Sequence, residues 1–191
     1  MKKVVVLGAG SWGTALALVL AKKGYQVHLW GRDKEKVEQI KLLKENVPYL
    51  PGVFLPDNIE ATDDLEEALF DKKYIVLATP SSNIRGVCHK IKNMINKNNI
   101  IISAAKGIEL ETLKRMSELI EEELVEKSPN ITIISGPSHA EEVGRGIPTA
   151  IVVGSKDKNA AEEVQDLFMS PEFRVYTNPD LIGIEYGSAL K

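Results

Sequence analysis

The sequence has 191 residues, of which 43% are hydrophobic, so it can bury a substantial core, and we expect one large domain over residues 1–191. Its formal net charge is −3, with lysines and acidic residues interspersed, which argues against a nucleic-acid partner because no basic stripe is present. The single cysteine, Cys88, excludes an intramolecular disulfide, and no apolar stretch reaches the roughly 20 residues of a membrane-spanning helix, so we expect a cytoplasmic protein without a membrane span.

Short β-branched runs alternate with longer amphipathic stretches along the chain, which is typical of strands alternating with helices. The predicted strands are residues 4–8, 26–30, 74–78, 100–103 and 131–135. The predicted helices are residues 12–23, 33–45, 63–70, 82–95 and 112–126. Because the strand runs are apolar without strict alternation, both faces of the sheet should be covered by helices. The pattern therefore predicts an α/β fold with a doubly wound, mostly parallel sheet of the Rossmann type.

Further segments lie outside this regular alternation. Residues 149–154 and 173–177 are rich in β-formers and flank a predicted helix at 159–169. We expect both to extend the sheet at one edge, in a direction that the sequence leaves open. The segment 46–58 holds three prolines and no periodicity, so it is either an ordered excursion or a mobile flap.

A glycine-rich turn, GAGSWG, occupies residues 8–13 between the first predicted strand and the first predicted helix. In this context Gly8 permits a tight turn, Gly10 lets a pyrophosphate approach the backbone, and Gly13 lets the helix pack close to the strand. The amides of Ser11 and Trp12 would lie at the helix N-terminus, which favours an anion. The turn predicts a dinucleotide site. The alternative is a turn that only joins strand to helix.

The end of the second predicted strand bears on the choice of dinucleotide. NAD-specific proteins usually place an acid there to bind the ribose 2′-hydroxyl, whereas this chain has Gly31 followed by Arg32 and Asp33. A guanidinium suits a 2′-phosphate, so NADP is favoured as cofactor. NAD stays open as the alternative because of Asp33, and Arg32 could simply be an exposed residue at the start of a helix.

Residues just after the other strands should share one edge of the sheet and line a ligand site. They are residues 79–81, 104–107 and 136–139. Lys106 could hold a substrate phosphate or hydroxyl there, although a lone loop lysine is more often a solvated charge. The run Ser138–Glu141 is typical of a capped first helical turn, which favours capping over general-base chemistry for His139. His28 and His89 have no partners at ligand spacing, so no metal site is predicted.

Four phrases in order along the chain, at residues 8–17, 103–109, 135–143 and 183–191, resemble signatures of the glycerol-3-phosphate dehydrogenase family, bacterial type. The resemblance implies interconversion of sn-glycerol 3-phosphate and dihydroxyacetone phosphate by hydride transfer with NAD(P), which supplies glycerol 3-phosphate for phospholipid synthesis. It also implies a helical substrate domain after residue 191, which is absent from this chain. The isolated chain should therefore bind cofactor better than it catalyses.

The same resemblance implies roles for individual residues. The implied cofactor contacts are Ser11, Trp12, Arg32, Lys106 and Ala140, with Tyr49 and Asp33 as further neighbours. The implied contacts of the phosphorylated substrate are Lys106, Gly136, Ser138 and Lys191. In the family, the lysine that matches Lys191 takes the proton from the C2 hydroxyl. To act as a base it must be neutral, so its pKa must fall from about 10.4, and Lys106 is a cation that could lower it.

Two other functions stay open at this point. One is another two-domain dehydrogenase, acting on 6-phosphogluconate or on 3-hydroxyacyl thioesters, against which the phrases SAAKGIE and GSALK argue. The other is a stand-alone NADP-binding module without catalysis. The sequence also leaves the oligomeric state open, with a homodimer among the alternatives.

Overall fold

A computed structural model describes residues 3–190. Its strands are β1 (Lys3–Leu7), β2 (Gln26–Trp30), β3 (Ile59–Thr62), β4 (Tyr74–Leu77), β5 (Ile100–Ser103), β6 (Asn130–Ser135), β7 (Thr149–Ser155) and β8 (Phe173–Thr177). Its helices are α1 (Ser11–Lys22), α2 (Lys34–Leu43), α3 (Leu65–Leu69), α4 (Ile84–Ile91), α5 (Met116–Glu123), α6 (Ala140–Gly144), α7 (Lys158–Phe168) and α8 (Leu181–Ala189), and a short 3₁₀ turn (Ser81–Asn83) precedes α4. Within residues 3–190, none of these helices combines the length and apolar character needed to cross a bilayer.

The strands form one sheet in the order β3-β2-β1-β4-β5-β6-β7-β8. Every neighbouring pair is parallel except β6 and β7, which run antiparallel. The predicted doubly wound, mostly parallel sheet is therefore confirmed, as is its extension by residues 149–154 and 173–177. The direction that the sequence left open is now defined: β7 runs antiparallel to β6, and β8 runs parallel to β7.

Both faces of the sheet are buried, as the apolar strand runs predicted. Along β1, Val4 and Val6 pack on one side into a core shared with α1, whereas Val5 and Leu7 pack on the other side with α4 and α5. Cys88 on α4 is fully buried in this second core, and desolvation raises the pKa of its thiol to about 12. The fold is thus three layers, with a helix layer on each face of the sheet.

Several predicted boundaries were wrong. The strand Ile59–Thr62 was missed, and it pairs with β2 at the far edge of the sheet. The helix predicted at 112–126 begins only at Met116, because the preceding loop is closed by an antiparallel bridge between Ile108 and Arg115. The helix α8 was also missed, since two glycines within GIEYGSA weaken the helical pattern.

The proline-containing segment 46–58 is an ordered excursion, which decides between the two alternatives. Leu50, Val53 and Leu55 are buried in the core beside α1, so the segment packs on the domain along its length. It connects α2 to β3 across the surface of α1.

Candidate functional site

Two glycines of the turn between β1 and α1 are fixed by packing. Gly8 has a φ of +128°, and a Cβ there would lie 2.8 Å from the carbonyl of Ala78, the residue that follows β4. A Cβ at Gly13 would lie 1.8 Å from the carbonyl oxygen of Gly8. These distances leave no room for a side chain at either position. Gly8 therefore permits the turn to pass close to the chain after β4, and Gly13 permits the close approach of α1 to the turn.

Gly10 differs from these two, because a Cβ built on it would meet nothing within 4 Å among residues 3–190. Its φ of −87° is accessible to any residue, so backbone conformation does not require glycine here. Gly10 is the N-cap position of α1, and it makes no side-chain capping hydrogen bond. The first N–H groups of α1 thus combine the positive end of the helix dipole with open space, which suits an anionic ligand.

A cavity of about 280 Å³ lies beside this turn, at the carboxyl ends of β1 and β4. This is where the strand order reverses, the usual ligand position in an open α/β sheet. The lining residues are Gly8, Ala9, Gly10, Trp30, Gly31, Arg32, Asp33, Lys36, Val37, Tyr49, Ala78, Thr79, Pro80 and Asn83. The structure therefore brings together the predicted residues of the glycine turn, the second strand end and the 46–58 segment.

One wall of the cavity is polar and charged. Asp33 is the N-cap of α2, where its carboxylate accepts from the backbone N–H of Lys36 at 3.2 Å, and its other oxygen lies 3.3 Å from Lys36 Nζ. Lys36 Nζ also donates to the hydroxyl of Tyr49 at 3.4 Å. The backbone hydrogen bond lowers the pKa of Asp33, and the Tyr49 hydroxyl, followed by Asp33, raises the pKa of Lys36. Exposed Arg32 completes this wall.

A second group of predicted residues meets beside the first turn of α1. Lys106 Nζ lies 3.4 Å from the carbonyl oxygen of Ser138 and 5.9 Å from the centre of the Trp12 ring. Ser138 is buried, and so is Ala140, the first residue of α6. A Cβ at Gly136 would lie 2.7 Å from the carbonyl oxygen of Ala150 on β7, so this glycine permits close packing of the strands. Lys106 thus links the residues predicted for cofactor and for substrate.

The predicted cap of α6 is wrong. His139 occupies the N-cap position, but its side chain makes no capping hydrogen bond. The hydroxyl of Ser138 donates backwards to the carbonyl of Gly136 at 3.4 Å instead. Within residues 3–190, no three His, Cys, Asp or Glu side chains converge as a metal cluster.

Three polar lining or supporting residues were missed in the sequence: Lys36, Asn46 and Asn83. Lys36 follows Asp33 by three positions on the first turn of α2, and that spacing is a signal that could have found it. Asn46 had no local signal, because the atoms it contacts, on Ala9 and Thr14, are 37 and 32 positions away.

Lys191, the predicted proton acceptor, lies outside the described residues. The helix before it, α8, is fixed through Glu185, which is only 3% exposed. Its carboxylate accepts from the backbone N–H of Ser117 at 2.8 Å, from the Ser117 hydroxyl at 2.6 Å and from Arg115 Nη1 at 2.6 Å. We call this group, Glu185 with Arg115 and Ser117, the Glu185 clasp. It ties α8 to the first turn of α5.

The strand order, the glycine turn and the switch-point cavity define a Rossmann-type protein of the dinucleotide-binding class. A solved glycerol-3-phosphate dehydrogenase from Coxiella burnetii has the same fold, with a TM-score of 0.93 and 34% identity, covering 98% of this chain and 57% of that one. The family model described as "NAD-dependent glycerol-3-phosphate dehydrogenase N-terminus" matches residues 3–161. The chain belongs to the NAD-dependent glycerol-3-phosphate dehydrogenase family.

Curated relatives agree with this assignment. The chain is 55% identical over 192 residues to a protein of Bacillus velezensis and 54% identical over 191 residues to one of Clostridium acetobutylicum. Both relatives are named glycerol-3-phosphate dehydrogenase [NAD(P)+]. Each match covers all of this chain but only 56% and 57% of the respective relative. The family resemblance in the sequence is therefore confirmed, and the chain spans little more than half the length of these relatives.

Proposed function

We propose that residues 1–191 form the dinucleotide-binding domain of a glycerol-3-phosphate dehydrogenase, with the pyrophosphate bound at the N-terminus of α1. The observation that carries this proposal is the open space at Gly10, next to helix N–H groups that no side chain in the described part of the chain caps. Glycines at 8 and 13 are explained by packing, whereas the glycine at 10 has no packing explanation. A ligand that approaches the backbone supplies one.

Titration of the chain with NADPH tests this proposal. Gly10→Val adds a side chain into open space, so it should leave the fold intact while displacing the pyrophosphate and abolishing NADPH binding. The matched control is Gly86→Val on α4, where an added Cβ also meets nothing within 4 Å. That variant should bind normally in calorimetry. Unchanged NADPH affinity in Gly10→Val would refute the site.

For the cofactor, we propose a preference for NADP, with NAD as a weaker alternative. A Cβ at Gly31 would lie 3.1 Å from both Ala9 Cβ and Val37 Cγ2, so a larger acidic residue there would be crowded. Asp33 is engaged with the backbone and side chain of Lys36, which leaves its carboxylate less available to a ribose hydroxyl. Arg32 and Lys36 supply positive charge on the same wall, which suits a 2′-phosphate.

We propose glycerol 3-phosphate and dihydroxyacetone phosphate as the substrates, in line with the names of the relatives. When bound, the nicotinamide would accept or supply the hydride. Lys106, Gly136 and Ser138 would hold the phosphorylated substrate next to it. The contact of Lys106 with the Ser138 carbonyl and its closeness to Trp12 support this role, because they join the α1 and α6 sides of the site.

We further propose Lys191 as the group that takes the C2 hydroxyl proton, with Lys106 as a neighbouring cation. In an enzyme of full family length that carries this sequence, Lys191→Ala should remove activity and keep NADPH binding. The exposed Lys156, changed to Ala, is the matched control and should keep both. A fully active Lys191→Ala enzyme would refute this assignment.

For the setting of the enzyme, we propose a cytoplasmic location and a homodimer as its assembly. The location is supported by the sole cysteine, which is a buried free thiol. Sedimentation of the full-length enzyme would test the assembly: a monomer at micromolar concentration would contradict the dimer.

A further inference from the structure

Asn46 opens the 46–58 segment and is only 1% exposed. Its amide nitrogen donates to the carbonyl oxygen of Ala9 at 3.0 Å and to the hydroxyl oxygen of Thr14 at 2.7 Å. The Thr14 hydroxyl in turn donates to the carbonyl oxygen of Gly10 at 2.8 Å. A buried side chain from a distant segment therefore reaches the glycine turn from its interior side.

Hydrogen-bond bookkeeping fixes the orientation of this amide. The single hydroxyl hydrogen of Thr14 is used on Gly10, so Thr14 Oγ1 can only accept from Asn46. The carbonyl of Ala9 can only accept as well, so both amide hydrogens of Asn46 are used. Within the described residues, the amide oxygen of Asn46 is buried without a hydrogen-bond partner, which is a cost that a purely structural anchor would avoid.

The consequence for the turn follows from the geometry of the peptide bond. In a trans peptide the C=O and the next N–H point to opposite sides of the chain. Holding the carbonyls of Ala9 and Gly10 inwards turns the N–H groups of Gly10 and Ser11 outwards. We propose that Asn46, acting directly on the Ala9 carbonyl and through Thr14 on the Gly10 carbonyl, is a positioning residue that aims these two N–H groups at the pyrophosphate of the bound dinucleotide. This inference rests on the proposed function.

Asn46 also connects the turn to the opposite wall of the cavity. Its backbone carbonyl accepts from the N–H of Tyr49 at 3.1 Å and of Leu50 at 2.7 Å. Tyr49 lines the cavity and contacts Lys36. The side chain of Asn46, by contrast, contacts the glycine turn. The turn would bind the pyrophosphate, which NADPH and NADH have in common. Loss of that side chain should therefore weaken both cofactors equally.

The other end of the segment provides a matched control. Asn58 donates its amide hydrogens to the carbonyl oxygens of Ala21 and Tyr25, each at 2.8 Å. Like Asn46, it uses its amide nitrogen on two acceptors, but both are carbonyls and they lie at the C-terminal end of α1. A role limited to anchoring the segment would make the two asparagines equivalent, whereas a positioning role makes only Asn46 matter for binding.

The experiment measures dissociation constants of this chain for NADPH and NADH by calorimetry, at a temperature where circular dichroism shows each variant folded. Asn46→Leu keeps the size and removes the donors, and it should weaken both cofactors by about tenfold and by the same factor. Thr14→Val should do likewise, and Thr14→Ser, which restores the hydroxyl, should recover most of the affinity. Asn58→Leu should lower the melting temperature and leave both dissociation constants unchanged.

Each outcome decides the proposal. Unchanged affinity in folded Asn46→Leu, or an equal loss in Asn58→Leu, would overturn the positioning role while leaving the dinucleotide site standing. If Asn46→Leu does not fold, the Thr14→Val and Thr14→Ser pair decides by the same criterion. A wild-type chain that binds neither NADPH nor NADH would overturn the proposed function and this inference together.

Discussion

The N-termini of α1 and α5 differ in what meets their first N–H groups. At α5, the carboxylate of Glu185 accepts from the backbone N–H of Ser117 and pairs with Arg115, so the chain supplies its own anion. At α1, Gly10 offers no side-chain cap and leaves open space. The comparison teaches that an anion site depends on donors that the protein leaves open, as much as on the glycine pattern itself.

Removing the carboxylate of Glu185 from the N-terminus of α5 should have the largest effect on stability. Among residues 3–190, Glu185→Ala leaves Arg115 paired only with Glu118. It also removes the acceptor of the buried Ser117 N–H, so we expect the free energy of unfolding to fall by about 3 kcal/mol. Urea denaturation measures it. The control is Glu121→Ala, whose pair with Lys156 is exposed and should be worth less than about 1 kcal/mol. A loss in Glu185→Ala no larger than the control's would mean that the Glu185 clasp does not stabilise the packing of α8.

Adding a capping carboxylate to the N-terminus of α1 tests the comparison from the other side. Gly10→Asp places a capping carboxylate at α1, as Asp157 does at α7, where it accepts from the N–H of Ala160 at 2.9 Å. We expect a small gain in stability without ligand, of a few tenths of a kcal/mol. NADPH affinity should fall by about 100-fold or more, equivalent to about 2.7 kcal/mol. Fluorescence titration and thermal melts of the same sample test both, and tight NADPH binding by a more stable variant would contradict the comparison.

The ribose end of the cavity should show a smaller and selective effect. Arg32→Ala removes the guanidinium proposed for the 2′-phosphate, so NADPH should bind about 10-fold to 30-fold more weakly, or about 1.4–2 kcal/mol, with little change for NADH. Arg174→Ala removes the same charge from the edge strand β8 and serves as the control. Equal losses for NADPH and NADH in calorimetry would show that Arg32 does not read the 2′-phosphate.

The smallest effect concerns a partly exposed ion pair, for comparison with the buried one. Arg85 contacts Glu109 through two hydrogen bonds of 2.7 Å and lowers the pKa of this carboxyl to about 2. Because the folded-state pKa is below the unfolded value, the pair stabilises the fold above about pH 4.5 and loses its effect as pH falls towards 2. Glu109→Gln should therefore cost about 1 kcal/mol at pH 7 and progressively less below pH 4.5. A difference in urea stability from the wild type that does not depend on pH would contradict this.

Local patterns predicted much of the fold. The run IIIS at residues 100–103 is a buried parallel strand because every position is covered, and that makes it continuous in sequence. The missed strand β3 has only four residues, including Glu60, and its place depends on pairing with β2. That pairing is a tertiary contact, which periodicity does not encode.

The candidate site divides in the same way. The glycine turn was predictable because its spacing, the preceding strand and the following helix are all local. Asn46 was not, because its side chain contacts the carbonyl of Ala9 and the hydroxyl of Thr14, both more than 30 positions away. Arg32 and Lys36 fall between these cases. Arg32 could be found because it comes just after a strand end, and Lys36 because it lies one helical turn after Asp33.

The buried thiol of Cys88 has a practical consequence for probe chemistry. Its side chain is fully buried and its pKa is raised to about 12, so at neutral pH it is both protonated and out of reach of an alkylating reagent. The wild-type chain therefore behaves as a cysteine-free background in its native state. A fluorophore attached through Phe54→Cys, at a side chain that is 73% exposed, would report on the 46–58 segment with Cys88 left in place.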